Sequence, residues 1–169
     1  MQRGRFYTTR SQSFWTSRPF EWGVLSLIIA VLASVFVIQY RDLEAQLEYS
    51  GIQSTLGTMR TALLMDFLVR AANGSARSTN QDKTNPFSLM QSPPDNYAGE
   101  VSMGELADVE PGNWLFDPAC ACVGYRPLHP QWLQPNKEPA ALWFRLTATG
   151  GPPQLTPMHR YRWRGLPVN

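Results

Sequence analysis

The sequence predicts an α+β fold in which a long N-terminal helix, half transmembrane and half amphipathic, packs on a small antiparallel β-sheet. Three observations carry that prediction. Residues 22–38 form an apolar run without a single charge. No proline interrupts residues 20–85, so the helix opened by that run can continue into the apolar stripe behind it. Beyond Pro86 the chain changes to short apolar pieces punctuated by proline and glycine, the composition of strands joined by turns.

The apolar run comes first. Its 17 residues reach roughly 25 Å as a helix, and with snorkelling ends residues 20–40 match a hydrocarbon core of about 30 Å. Four arginines (Arg3, Arg5, Arg10, Arg18) precede it, and Glu21 at its edge is the first acid. That bias puts residues 1–19 in the cytoplasm as a basic tail and sends the rest of the chain across the membrane. Phe14 and Trp15 sit where aromatics settle at the interface. A cleaved secretory signal shares the basic-then-apolar pattern. Here, however, the run is longer than a signal's apolar region, and the sequence beyond Tyr40 stays helical and charged, so a retained anchor is expected.

Residues 41–73 follow as an amphipathic helix. Leu43, Leu47, Ile52, Leu56, Met59, Leu63 and Phe67 recur at spacings of three to five, which is one narrow apolar stripe. Asn73 and Gly74 can close the helix with a left-handed cap. Some 50 residues of unbroken helix would extend roughly 75 Å, and the stripe on its wet half needs a globular domain to cover it. Residues 74–85 read as a polar linker, and residues 86–169 as a small β domain. Within that domain residues 113–116 and 122–125 predict a hairpin turning at Asp117-Pro118. Residues 141–151 hold the clearest strand, with Leu142, Phe144 and Leu146 alternating against Trp143, Arg145 and Thr147. Residues 158–165 predict a last alternating strand with Tyr161 and Trp163 on one face and Arg160, Arg162 and Arg164 on the other.

Charge is unevenly placed along the chain. Residues 41–117 carry five basic and eleven acidic residues, whereas residues 118–169 carry six basic and one acidic. The arginine–aromatic tail has two readings: a surface for nucleic-acid phosphates and bases, or a solvated edge strand that meets the acidic stretch 100–110 of this or a neighbouring subunit. The second is preferred. Cys120 and Cys122 are the chain's two cysteines. They read as a short disulfide in an oxidising compartment or as incidental thiols; two thiolates do not complete a zinc site. His129 and His159 have no nucleophile motif around them, and no phosphate-cradling glycine loop occurs. The expectation is therefore a protein without enzymatic activity, cofactor or metal.

A lipid-spanning helix that runs unbroken into an amphipathic helix and then a small sheet resembles type IV pilins and the pseudopilins of type II secretion. In that register Tyr40-Arg41-Asp42 matches the aromatic-polar-acid step where a pilin helix leaves the membrane, and Glu21 falls where the pilin glutamate stands. The resemblance implies assembly roles for Glu21, Tyr40 and Asp42, with Glu21 as a polar contact in lipid. It implies membrane lipid, other pilin or pseudopilin subunits and the assembly platform as partners, and an inner-membrane location with the distal domain in the periplasm. Two positions depart from the pattern. Thr16 stands at the processing glycine, ahead of Ser17, and Ile38 replaces a proline. The first departure implies a chain that is not cut. The distal segments 85–100, 111–117 and 124–127 are similar to the C-terminal domain of minor pilin-like proteins from mannose-sensitive haemagglutinin (MSHA) pilus clusters. The function expected is that of a minor pilin-like subunit or accessory assembly factor. The alternative is a single-pass anchored scaffold whose periplasmic domain recruits a partner.

Overall fold

A computed structural model describes residues 18–74, 84–135, 140–148 and 151–168. The basic tail up to Ser17, including Thr16, Phe14 and Trp15, and most of the expected linker lie outside the described residues. The chain divides into two compact units at the boundary between Leu43 and Glu44.

The helix α1 runs from Arg18 to Ala72, 55 residues without interruption. In the first unit its side chains face outward: Trp22 is 68% exposed and Phe36 69%. Its apolar window is long and apolar enough to cross a membrane, and none of that window is buried inside the chain. Such exposure would be unfavourable in water at about 25 cal/mol per Å² and is what lipid requires.

The second unit contains the rest of α1 and the β structure. Ile52, Leu56, Met59 and Leu63 of α1 are buried there, the i, i+4, i+7, i+11 positions of one helix face. The helix ends as expected at its glycine: the Gly74 N–H donates to the Ala71 carbonyl at 3.1 Å, and Gly74 has a φ of 75°. Strands β1 (Tyr97–Glu100), β2 (Trp114–Asp117), β3 (Cys122–Tyr125), β4 (Leu133–Gln134), β5 (Leu142–Thr147), β6 (Gln154–Pro157), β7 (Arg162–Trp163) and β8 (Leu166–Pro167) follow in order. They form a five-stranded sheet, β1-β2-β3-β5-β6, and a three-stranded one, β4-β7-β8. The expected hairpin is present, with Trp114 opposite Tyr125 and Asp117 opposite Cys122. The architecture is thus α+β, as the sequence predicts. The larger sheet differs in one respect: β1 joins β2 in parallel, so it is mixed rather than purely antiparallel.

Both faces of the larger sheet are covered. On one face Trp114, Phe116, Val123, Tyr125, Leu142, Phe144 and Leu146 pack with the α1 stripe. On the other, Leu115, Cys122 and Trp143 pack with Leu106 and Val109 from the 3₁₀ segment Met103–Asp108 and its following residue. This second layer explains why Trp143 is buried although it alternates with the inward residues. Gly124 makes room for it: a Cβ at that position would lie 2.8 Å from the Trp143 ring and 3.0 Å from Leu115.

The final segment is a hairpin rather than one long strand. β7 pairs with β8 around Arg164 and Gly165, both in the left-handed region with φ of 47° and 88°, the geometry of a two-residue hairpin turn that follows strand twist. The expected facial split survives: Tyr161 and Trp163 are buried, and Arg160, Arg162 and Arg164 are exposed.

Candidate functional site

The residues singled out from the sequence fall in separate places. Glu21 lies exposed in the first turn of α1, where a carboxylate complements the positive end of the helix dipole. Tyr40 stacks on Phe36 one turn earlier, ring centroids 6.4 Å apart, and Asp42 is half-buried. Tyr40 stands 19 positions after Glu21, roughly 29 Å along the helix axis, so these residues mark the two ends of the apolar span and form no joint site.

Cys120 and Cys122 are joined by a disulfide within the β2–β3 turn, their Cα atoms 5.2 Å apart. The turn is organised by Asp117, whose buried carboxylate accepts the Ala119 N–H at 2.8 Å and the Met103 N–H at 2.7 Å. Two amide donors satisfy an otherwise costly buried charge, and they tie the 3₁₀ segment to the hairpin.

A cleft of about 440 Å³ opens between α1 and the loop after β3, lined by Glu44, Glu48, Tyr125, Leu128 and His129 among others. Glu44, Glu48, Tyr125 and Leu128 were not singled out from the sequence, and nothing there assigned His129 to a cleft. One Glu48 oxygen accepts the Leu128 N–H at 2.7 Å and the Tyr125 hydroxyl at 3.1 Å. The other is buried without a hydrogen-bond partner. Burial raises the Glu48 carboxyl above its ordinary value and outweighs the hydrogen bonds from Leu128, Tyr125 and the His129 backbone and the His129 charge, which lower it. Tyr125 is raised as well, by burial first and then by the Glu48 charge. His129 Nε2 lies 3.9 Å from Glu44, and its ring packs against Trp132 at 4.2 Å. These contacts fasten the loop to the helix. Among the described residues the polar groups at the His129 ring are Glu44 and Gln131, the latter at 3.4 Å. Among the described residues no group of three His, Cys, Asp or Glu side chains could hold a metal ion.

A second hollow, about 420 Å³, is lined by Met158, His159, Arg160, Tyr161, Arg162 and Pro167 among others. The aromatic rings of this C-terminal segment are engaged in the core. The Tyr161 hydroxyl accepts the Trp143 N–H at 3.1 Å, and the Trp163 indole N–H donates to the Ala45 carbonyl of α1 at 2.9 Å. Arg164 instead lies over the Trp132 ring, 6.0 Å from its centroid. The tail therefore presents cationic groups while its aromatics fill the core. Ala45, buried beneath Trp163, was absent from the predicted stripe; an alanine carries no hydrophobic-period signal strong enough to mark it. Compared with known proteins, the chain matches no protein family, no curated protein and no solved structure.

Proposed function

We propose that the chain is a non-enzymatic, minor pilin-like subunit or accessory assembly factor of an MSHA-like type IV pilus or a related type II secretion system. It is held in the inner membrane with its N-terminus in the cytoplasm and its β unit in the periplasm. One observation carries the reading: a single uninterrupted helix, Arg18–Ala72, supplies both an outward-facing apolar span and the stripe that fills the core of a small β unit. A plain anchor needs only the first of these. The position of Glu21, a carboxylate at the edge of the apolar span, supports a role as polar contact between subunits in lipid.

Glu21→Ala tests the role. The expected outcome is loss of pilus assembly with normal membrane levels of the protein; unchanged assembly would remove Glu21 from the mechanism. Thr16 and Ser17, which depart from the processing pattern, favour a second reading: a permanently anchored scaffold that recruits a periplasmic partner. The intact mass of the membrane-extracted protein separates the two. A mature start at Ser17 identifies a processed subunit, and a retained basic tail identifies the scaffold.

A further inference from the structure

The last hairpin of the chain, β7–β8, is fastened to the first turns of α1 in the second unit. The Trp163 indole N–H donates to the Ala45 carbonyl at 2.9 Å, and the Tyr49 hydroxyl donates to the Pro167 carbonyl at 2.8 Å. Ala45 stands seven positions after Ile38, the end of the apolar run, which is about 10 Å of helix. The loop after β3 is fastened to the same turns, through the Leu128 N–H on Glu48 and His129 beside Glu44. The chain's last residues are thereby held to helix positions that follow the span within about three turns.

What these segments expose is cationic and apolar together. Arg160, Arg162 and Arg164 are exposed, and Arg160 and Arg162 form no ion pair among the described residues. Those two line, with His159 and Pro167, the hollow of about 420 Å³. Leu128 on the loop and Leu166 on the hairpin are 56% and 52% exposed. The acids of the adjoining helix turns are already engaged, Glu48 by Leu128 and Tyr125 and Glu44 beside His129.

We infer that the β7–β8 hairpin docks on the membrane that α1 enters, its arginines binding the phosphates of anionic phospholipid headgroups and Leu166 dipping among them. A guanidinium matches phosphate oxygens two at a time. Exposed leucines beside cations are the composition of a surface that lies at the lipid interface. Attraction to an anionic surface fades within a Debye length. The tether to helix positions just past the span is therefore what makes these arginines effective. A nucleic-acid strand is the competing occupant. It is disfavoured because Tyr161 and Trp163, which would stack on bases, are buried in the core. The contact rests on the membrane span and not on the pilus reading.

The full chain with Leu166→Cys, carrying a nitroxide at that position, is placed one copy per nanodisc. The discs are phosphatidylcholine alone or with about 30% phosphatidylglycerol. Cys120 and Cys122 are joined to each other, so only the added thiol takes the label. Collision with a neutral nickel chelate reads the label's exposure to water. That exposure is expected to be at least about threefold lower in the anionic discs, and to recover as salt rises from about 0.05 to 0.5 M. R160E/R162E should abolish the difference between discs, with near-UV circular dichroism checking the fold. R160Q/R162Q, which removes charge without reversing it, should at least halve the difference. Equal exposure in both discs, shielding that ignores salt, or shielding kept by the folded variants would overturn the contact and leave the span standing. So would a label shielded by single-stranded DNA and not by phosphatidylglycerol. A chain that enters neither disc would overturn the span, and the contact with it.

Discussion

Among single residues, Glu48 couples the helix to the loop after β3 most directly. Its carboxyl is raised above the ordinary 4.5, first by burial. Between 4.5 and the raised value the folded chain holds a proton that the unfolded chain has released, so stability falls as pH climbs through that window and is level above it. Glu48→Gln removes the charge while leaving an oxygen for the Leu128 N–H and the Tyr125 hydroxyl. Urea midpoints of the full chain in detergent should then lose this acid-side slope, and at neutral pH the variant should be no less stable than wild type. A second residue-scale expectation concerns Gly124. Alanine there would collide with the Trp143 ring at 2.8 Å, and overpacking of this kind costs about 1–3 kcal/mol. A lowered urea midpoint with an unchanged slope checks it.

At the scale of elements, α1 shows what periodicity reveals and what it hides. Ile52, Leu56, Met59 and Leu63 were legible because branched and long apolar residues recur every turn, and all four are buried. Leu43 and Leu47 share the pattern but are 52% and 62% exposed, since a one-dimensional repeat does not say how far along the helix its cover extends. Leu56→Ala should therefore cost about 2–5 kcal/mol. Leu47→Ala should change stability by less than about 0.5 kcal/mol. Equilibrium unfolding of the two variants side by side reads the contrast. The β2–β3 hairpin was legible from its Asp-Pro turn, and the Tyr161–Trp163 face from alternation. The parallel pairing of β1, the second layer over Trp143 and the cleft around Glu48 were not. Each depends on which distant segment lands beside which, and no local signal encodes that. Glu48 carried no signal of its burial because the loop whose Leu128 N–H it accepts comes 80 residues later.

For the whole molecule, the first unit's helix is long and apolar enough to cross a membrane, and its exposed surface suits lipid. The chain should resist alkaline extraction from membranes. Leu32→Arg, at the middle of the apolar window, should weaken insertion by about 3 kcal/mol and shift protein into the soluble fraction. Undiminished retention of that variant would count against a membrane span.

The indole of Trp163 reaches Ala45, and the Tyr49 hydroxyl donates to the Pro167 carbonyl at 2.8 Å, both across 118 positions of sequence. On a ribosome the helix is made long before the residues that cover it, so the stripe from Ile52 to Leu63 emerges as bare apolar surface. Closing a loop of that length is an entropic cost met before any contact rewards it. The contacts between the helix and the last hairpin are therefore among the latest that the growing chain can make.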